Sequence, residues 1–306
     1  MASISQFSRP VADRAARGPQ RLPNQIGCWE PVRLIGEGQL SLIYQVRPVD
    51  SAPDQPACHA LKVLRAEWQD DTRGLAILAR EVHVGRKVTH PHLVPILAAN
   101  LAEPPYYVAM PWLEGQSLAE YLRAGEAVDL PIVFWIARQV AEALEALHLA
   151  GWIHGDVKPS NIMVSPSGHA TLIDLGFARH HSERNAVADR PLMGTLHYTA
   201  PEMLYSAAGG GVQCDVYSLG VVLFEMLTGR VPFSAVDVSD LAAQHRQELP
   251  GDLRSIVPYV PTRAARLVQQ MLAKQPLRRP PLRDVVDRLV GLEIETFSER
   301  FPQLSA

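Results

Sequence analysis

The chain has 306 residues, 47% of them hydrophobic and 20% charged, and its formal net charge is −3. This length suits one large domain or two lobes of about 100 to 200 residues each, and the composition is ordinary for a globular protein. The near-neutral charge argues against a general nucleic-acid-binding protein, because such proteins carry a strong basic excess.

The sequence also disfavours membrane insertion, secretion and metal binding by cysteine. No run of 18 apolar residues is present, and the N-terminus lacks the apolar core of a signal peptide. The three cysteines, Cys28, Cys58 and Cys214, are scattered and form no pair spaced for zinc or redox chemistry. These features predict a cytoplasmic protein with no membrane or nucleic-acid partner.

The first 27 residues differ in character from the rest of the chain. Residues 1–27 contain four arginines among serine, proline and glycine, and they show no hydrophobic periodicity. This composition predicts a disordered leader. A transit peptide is the alternative for an arginine-rich, acid-poor segment, and Asp13 and the prolines weaken it.

The next segments predict regular structure. Between Leu34 and Val46, two apolar segments flank a turn that contains Gly36 and Gly38. Glycine lets backbone amides approach phosphate oxygens, although a plain hairpin turn explains this stretch equally well. Residues 59–64 have the pattern of a strand with one lysine inside it, and residues 131–150 have the apolar spacing of an amphipathic core helix.

The residues best suited to chemistry lie in His-Gly-Asp-Val-Lys-Pro-Ser-Asn, which occupies residues 154–161, and in the Asp-Leu-Gly that begins at Asp174. Asp156 can accept a proton from an attacking hydroxyl, and Lys158 can neutralise charge on a phosphoryl group in transit. Asn161 and Asp174 offer the hard oxygen ligands that magnesium prefers. This set of residues suits phosphoryl transfer.

A β-hairpin is predicted between Asn161 and Asp174. Residues 162–164 and 170–173 are apolar enough for two short strands, and Ser-Pro-Ser-Gly at 165–168 is a turn sequence. Such a hairpin would bring Asn161 and Asp174 near each other.

This region resembles the catalytic loop and metal-binding motif of eukaryotic-type (Hanks-type) serine/threonine protein kinases, H-R-D-x-K-x-x-N and D-F-G. Residues 194–202, 215–220 and 278–280 resemble the family's substrate-docking segment, the start of its central helix and its late Arg-Pro motif. Taken alone, the catalytic stretch also suits small-molecule kinases, but those lack this later framework. The resemblance extends over about residues 30–292.

The resemblance implies an α+β, bilobal fold with ATP and Mg²⁺ bound in the cleft between the lobes. The small β-rich lobe would span residues 28–113 and the larger, mostly helical lobe residues 114–292, followed by a tail at residues 293–306. The implied ATP-binding residues are Ile35, Gly36, Glu37, Gly38, Ile43, Ala60, Lys62, Glu81, Met110, Pro111, Leu113 and Met163.

Specific roles are carried over with the motifs. Lys62 would hold the α- and β-phosphates and pair with Glu81, 19 residues later, while Met110 would be the gatekeeper. The backbone of Pro111 and Leu113 would face adenine. The implied catalytic residues are Asp156 and Lys158, and the implied metal ligands are Asn161 and Asp174. Thr195 would dock the substrate. The implied scaffold residues are Glu202, Asp215 and Arg279, with Arg279 paired to Glu202.

Three positions near the cleft depart from the family pattern. Ser41 stands where the third glycine of G-x-G-x-x-G belongs, and Leu175 replaces the phenylalanine of D-F-G. Gly85, four residues after Glu81, replaces a bulky apolar residue. Because glycine costs about 1 kcal/mol in a helix, Gly85 predicts a looser helix with a packing gap, one that a separate regulatory protein could steady.

A fourth departure concerns regulation. Gly155 takes the place of the arginine in H-R-D, which in many relatives binds a phosphorylated threonine of the activation segment. Between residues 176 and 194 the only hydroxyl residue is Ser182. The arginine and the threonine are missing together, which predicts a non-RD kinase that does not depend on phosphorylation of this segment.

We therefore expect an ATP- and Mg²⁺-dependent kinase that transfers the γ-phosphate to serine or threonine hydroxyls of protein substrates. Serine and threonine acceptors fit Lys158 and Thr195, because tyrosine kinases usually carry an arginine-containing set in the catalytic loop. The alternative, which the four departures support, is a pseudokinase acting as a nucleotide-binding scaffold. A small-molecule phosphotransferase is opposed by the substrate-docking segment. No sensor domain is attached, so any regulator is expected to be a separate protein.

Overall fold

The computed structural model describes residues 22–52, 54–125, 128–183, 196–205 and 210–300. The predictions made for residues 1–21 and 301–306, and for Thr195, fall outside these ranges. In the described part of the chain, no helix combines the length and hydropathy needed to cross a bilayer.

The N-terminal part is a five-stranded antiparallel sheet with one long helix beside it. In chain order these elements are β1 (Trp29–Glu37), β2 (Ser41–Pro48), β3 (His59–Leu64), α1 (Thr72–Lys87), β4 (Ala98–Asn100) and β5 (Tyr107–Pro111). The strands lie in the order β1-β2-β3-β5-β4. Helix α1 begins after Asp71 because the Asp71 side chain accepts a hydrogen bond from the amide of Arg73 at 2.9 Å, which caps the helix.

The C-terminal part is mostly helical. Its helices are α2 (Leu118–Arg123), α3 (Leu130–Leu149), α4 (Pro201–Tyr205), α5 (Gln213–Thr228), α6 (Val238–Gln247), α7 (Leu253–Ile256), α8 (Thr262–Met271) and α9 (Leu282–Arg300). Short strands lie at its boundary with the N-terminal sheet: β6 (Gln116–Ser117), β7 (Trp152–Ile153), β8 (Ile162–Val164), β9 (Ala170–Leu172) and β10 (Arg179–His180). Single 3₁₀ turns occur at Ala66–Trp68, Pro159–Asn161, Leu196–Tyr198 and Pro276–Arg278. This α+β, bilobal architecture confirms the predicted fold class.

Helices α3 and α5 form the centre of the larger lobe. Phe134 on α3 and Tyr217 on α5 are almost completely buried. Nearly every residue of α5 from Cys214 to Leu227 is buried, as expected for a helix that is apolar all round. The predicted core helix at residues 131–150 is confirmed as α3, shifted by one residue.

The ordered domain begins earlier than predicted. Leu22 and Ile26, which lie in the segment assigned to the leader from its composition, pack against the sheet. Ile26 is only 5% exposed, and it exchanges two backbone hydrogen bonds with Trp29, at 2.9 and 3.0 Å. The burial of Ile26 holds this segment against the sheet. The average composition of residues 1–27 gave no sign of that burial.

The last helix also extends beyond its predicted end at residue 292. Helix α9 continues to Arg300, so residues 293–300 are not a tail. Glu293 accepts a hydrogen bond from Nε of Arg138 on α3 at 2.6 Å, and Thr296 is 4% exposed. These long-range contacts hold the final turns of the helix against the lobe.

The predicted packing gap at Gly85 is wrong. A Cβ placed on Gly85 would lie 2.5 Å from Cγ1 of Ile96, so Ile96 fills the space that a larger residue at position 85 would need. Helix α1 runs unbroken through Gly85 from Thr72 to Lys87. The packing argument for a steadying partner protein is removed with the gap.

Candidate active site

Asp215 orients the start of the loop that carries the predicted catalytic residues. It lies in the first turn of α5 and is completely buried. Its carboxylate accepts hydrogen bonds from the amides of His154 and Gly155 at 2.8 and 2.7 Å, and it contacts Nε2 of His148 at 2.8 Å. Burial raises the pKa of this carboxyl, but His148 and the loop amides outweigh burial and hold it below its usual range. An ionised Asp215 therefore fixes the loop.

His154 ties the same loop to the metal-binding motif. Its side chain is fully buried, and its Nδ1 accepts from the amide of Asp156 at 3.2 Å. Because Nδ1 is the acceptor, Nε2 carries the proton and donates to the carbonyl of Ile173 at 3.2 Å. Gly155, between His154 and Asp156, has φ +74°, a conformation that glycine adopts without strain. The loop and the residue before Asp174 are thus held together.

Asp156, Lys158 and Asn161 form one hydrogen-bonded cluster. The amide Nδ2 of Asn161 donates to the carbonyl oxygen and to Oδ2 of Asp156, at 2.8 and 3.0 Å. Nζ of Lys158 lies 2.8 Å from the same Oδ2. Asp156 and Asn161 are 5% and 6% exposed, so the carboxylate is aimed by fixed neighbours and not by solvent. A carboxylate held in this way is suited to accept a proton from a positioned hydroxyl.

The predicted β-hairpin is confirmed and connects this cluster to Asp174. Strands β8 and β9 pair antiparallel, with Ile162 opposite Leu172. Beyond the paired residues, the amide of Ile173 donates to the carbonyl of Asn161 at 2.9 Å. Asn161 and Asp174 therefore leave the same end of the hairpin.

Lys62 lies between two carboxylates. Its Nζ is 2.8 Å from Oε2 of Glu81 on α1 and 2.8 Å from Oδ1 of Asp174. Burial disfavours the charge on Lys62, but the two carboxylates outweigh burial and raise its pKa above the usual range. Lys62 in turn holds the pKa of Asp174 below its usual range against the effect of burial, while burial raises the pKa of Glu81. The pair that the sequence predicted, Lys62 with Glu81, is present and includes Asp174 as a third member.

Asp174 has an unusual backbone conformation. Its φ is +65°, and among the described residues it is the only non-glycine residue with positive φ. Such a conformation is uncommon outside glycine and costs of order 1 to 3 kcal/mol when the surroundings impose it. The Lys62 contact and the amide of Gly176, 3.4 Å from Oδ1, are the local interactions that accompany it.

The donor atoms near Asp174 and Asn161 fit Mg²⁺. Both side chains carry hard oxygen atoms, and magnesium usually takes one or two protein ligands and completes its octahedral shell with phosphate and water. Asp174 contacts Lys62 through Oδ1, which leaves Oδ2 for a cation. Asn161 binds Asp156 through Nδ2, so its Oδ1 is the atom that could coordinate. Within the described ranges no group of three or more His, Cys, Asp or Glu residues could hold a metal by itself.

The strand register places Gly36, at the start of the glycine turn, in the same row of the sheet as Lys62. Gly36 on β1 is opposite Ile43 on β2, and Ile43 is opposite Lys62 on β3, so the three lie in one row across the sheet. The amide of Gly38 donates to the carbonyl of Ser41 at 2.8 Å, and a Cβ on Gly38 would lie 3.3 Å from that oxygen. The turn is therefore closed without a third glycine, which accounts for Ser41 at that position.

The structure places the other predicted nucleotide-binding residues on or just after strands β1, β3, β5 and β8. Ala60 on β3 is opposite Met110 on β5, and beyond this pair the amide of Trp112 donates to the carbonyl of Cys58 at 2.9 Å. Met163 alternates with the buried Ile162 and Val164 along β8, so its side chain is on the opposite face. The remaining members lie in β1, at the end of β5 or directly after it: Ile35, Glu37, Pro111 and Leu113.

The predicted scaffold pair lies away from the cleft. Arg279 donates to Glu202 through two nitrogen atoms, at 2.6 and 2.8 Å, and the Arg279 side chain is fully buried. This bidentate pair joins the start of α4 to the segment before α9. Thr195, predicted to dock the substrate, lies outside the described residues.

Two supporting residues were missed from the sequence. Gln139 on α3 is 2% exposed; its Nε2 donates to the carbonyl of Gly168 and its Oε1 accepts from the amide of Ala170, both at 3.0 Å. A polar residue on the apolar face of the predicted helix was the available signal. Arg80, next to Glu81, contacts Glu183, which lies 103 residues away, and the sequence offered no signal for that contact.

The family assignment agrees with this geometry. The family model described as Protein kinase domain matches residues 29–289. The chain belongs to the Hanks-type serine/threonine protein kinase family. Within this kinase family, similar proteins are curated from several bacteria.

The probable serine/threonine-protein kinase PknB of Lactococcus lactis is 28% identical over 269 residues, which cover 88% of this chain and 42% of that protein. Serine/threonine-protein kinase PrkC of Bacillus subtilis is 29% identical over 256 residues, covering 83% and 38%. Serine/threonine-protein kinase PknJ of Mycobacterium tuberculosis is 32% identical over 253 residues, covering 81% and 42%. The kinase chain described here thus spans about two fifths of the length of these relatives.

Proposed function

We propose that this protein is an ATP- and Mg²⁺-dependent kinase that transfers the γ-phosphate of ATP to serine or threonine hydroxyls of protein substrates. The observation that carries the proposal is the arrangement of two linked clusters. Asp156 is held by Asn161 and Lys158, and Asp174, at the end of the same hairpin, contacts Lys62, which also contacts Glu81. Family membership supports the same activity.

Each charged group has one task in this proposal. Lys62, held by Glu81, binds the α- and β-phosphates, and Asn161 and Asp174 hold the magnesium ion. The metal, when bound, neutralises phosphate charge. Asp156 orients the acceptor hydroxyl and takes its proton at Oδ1 or Oδ2, while Lys158 lies beside that carboxylate to stabilise the transferring group.

We further propose that activity does not require phosphate on the activation segment, because Gly155 leaves the catalytic loop without the arginine that would receive it. A cytoplasmic setting is also proposed, since Cys28 and Cys58 are exposed free thiols. The substrate is expected to be another protein.

The test is transfer of labelled γ-phosphate from ATP to a generic protein substrate, with wild type and Asp156→Asn compared. Asparagine keeps the size of the side chain but removes the base, so the rate should fall by about 10²- to 10⁴-fold while ATP binding persists. Phosphoamino-acid analysis should give phosphoserine or phosphothreonine, and EDTA should abolish transfer. If wild type transfers nothing but ATP still raises its melting temperature, the scaffold alternative replaces this proposal.

A further inference from the structure

One face of helix α1 lies along residues 176–183, the segment that comes after the metal-binding motif. Ile77, Arg80, Glu81 and Val84 have the i, i+3, i+4, i+7 spacing of a single helical face. At the first of these positions, a Cβ on Gly176 would lie 2.7 Å from Cγ2 of Ile77. At the last, Val84 is fully buried in the apolar cluster of the large lobe. At the two positions between Ile77 and Val84, Glu81 contacts Lys62 and Arg80 contacts residues 178 and 183 of the segment.

Arg80 makes two contacts with that segment. Its Nη1 donates to the carbonyl of Ala178 at 3.1 Å and to Oε2 of Glu183 at 2.6 Å. Oε1 of Glu183 accepts from the amide of His180 at 3.3 Å, so both carboxylate oxygens are engaged. The two side chains are 35% and 34% exposed. The contact is therefore a partly exposed ion pair that also has a backbone anchor at Ala178.

The segment end of this contact is itself attached to the catalytic region. His180 lies in β10, which pairs antiparallel with β7 immediately before His154. The ring of His180 also packs edge-on against Trp152, with centroids 5.3 Å apart, and Trp152 meets His83 of α1 at 5.5 Å. Glu183 is thus connected by contacts to α1 and to the strand leading into the catalytic loop.

The Arg80–Glu183 contact has the charges of an arginine–phosphate pair. A phosphate on an activation segment orders it by pairing with arginine. Here Glu183 supplies a carboxylate without phosphorylation, and the arginine comes from α1, while Gly155 in the catalytic loop has no side chain that could serve. Since Arg80 directly precedes Glu81, its position and the approach of Glu81 to Lys62 are fixed by the same helical turn.

We propose that the Arg80–Glu183 ion pair is a built-in, phosphate-independent connection that holds the activation segment against α1 and so keeps Glu81 on Lys62. Arg80 and Glu183 are positioning residues: neither touches the reacting atoms. This inference rests on the proposed kinase function and names how that site is kept in its active arrangement.

The test compares the wild-type chain of 306 residues with Arg80→Glu, Glu183→Arg and the double charge swap. Arg86→Glu, an exposed change on the same helix, is the matched control. Each single reversal should lower kcat/KM for ATP three- to tenfold and weaken ATP binding at least threefold, with melting temperature close to wild type. The double swap should recover part of the lost activity through the restored ion pair, although a glutamate at position 80 cannot donate to the carbonyl of Ala178; a defect unrelated to the charge pair would show no recovery. Active wild type should carry no phosphate by intact mass and should keep its activity after phosphatase treatment.

Several results would overturn the inference: single reversals as active as the Arg86→Glu control, a double swap as impaired as both singles combined, or activity that disappears with phosphatase. Failure of the proposed function looks different, because wild type itself would then transfer no phosphate. In that case ATP affinity still decides the question. Weaker binding in the single variants and recovery in the double swap would support the ion pair, and unchanged binding would refute it.

Discussion

Replacing Gly85 with alanine should destabilise the protein even though alanine is the better helix former. At an open helical position this substitution gains about 1 kcal/mol. Here the new Cβ would lie 2.5 Å from Cγ1 of Ile96, a branched side chain that packs against the buried cluster between the sheet and α1. Forcing an extra methyl group into a filled site costs about 1 to 3 kcal/mol. The difference predicts a net loss of about 1 kcal/mol in the free energy of unfolding.

The assay is urea unfolding followed by tryptophan fluorescence, applied to wild type, Gly85→Ala, Ile96→Ala and the double variant. Removing the Ile96 side chain should reverse the sign of the Gly85→Ala effect, because the methyl group then enters free space and the helix gain remains. A stabilising effect with Ile96 present, or the same destabilisation in both backgrounds, would refute the conclusion that Ile96 fills the position.

Three further predictions concern stability. Burial, with nearby positive charge, lowers the pKa of His245 to about 3. The imidazole therefore stays neutral in the folded protein, whereas in the unfolded chain it is protonated below about pH 6.5. The free energy of unfolding should consequently fall by up to about 1.4 kcal/mol per pH unit as the pH drops below about 6.5. His245→Asn should flatten this slope in urea titrations at pH 6.5 to 5, and equal slopes would contradict it. Arg279→Met should lower the free energy of unfolding by about 3 to 5 kcal/mol, because it leaves the Glu202 carboxylate without its partner. Adding Glu202→Met should recover part of that loss. Additive losses in the double variant would argue against the ion pair. Ending the chain before Glu293 should lower the free energy of unfolding by about 1.5 kcal/mol or more through loss of the Arg138 contact; an unchanged denaturation midpoint would show the segment to be a tail.

The parts of the site that the sequence predicted are those set by local patterns. The hairpin between Asn161 and Asp174 was visible as two apolar runs around a turn sequence, and it formed as expected. Lys62 and Glu81 were recognised because the family motifs carry both residues at a known spacing, and their contact is present.

The parts that escaped prediction depend on contacts between distant segments. Gly85 read as a gap because nothing in the helix shows that Ile96 would fill it. Composition could not show that Ile26 would be buried, and Glu293 was placed in a tail because its partner is on another helix. Nothing in the sequence signalled that Arg80 would contact Glu183. In each case one long-range contact outweighed the local signal.

The side chain of Gln139 gives the β8–β9 hairpin an anchor that hydrogen exchange could follow. The amide of Ala170, at the start of β9, donates to Oε1 of Gln139 on α3. Its protection from solvent therefore lasts only while the hairpin rests on the core of the large lobe. If the hairpin lifts away from α3 without the lobe unfolding, this amide becomes labile while the amides within α3 stay protected. The spacing between Asn161 and Asp174, the two proposed magnesium ligands, is thus maintained by a contact of the hairpin with helix α3.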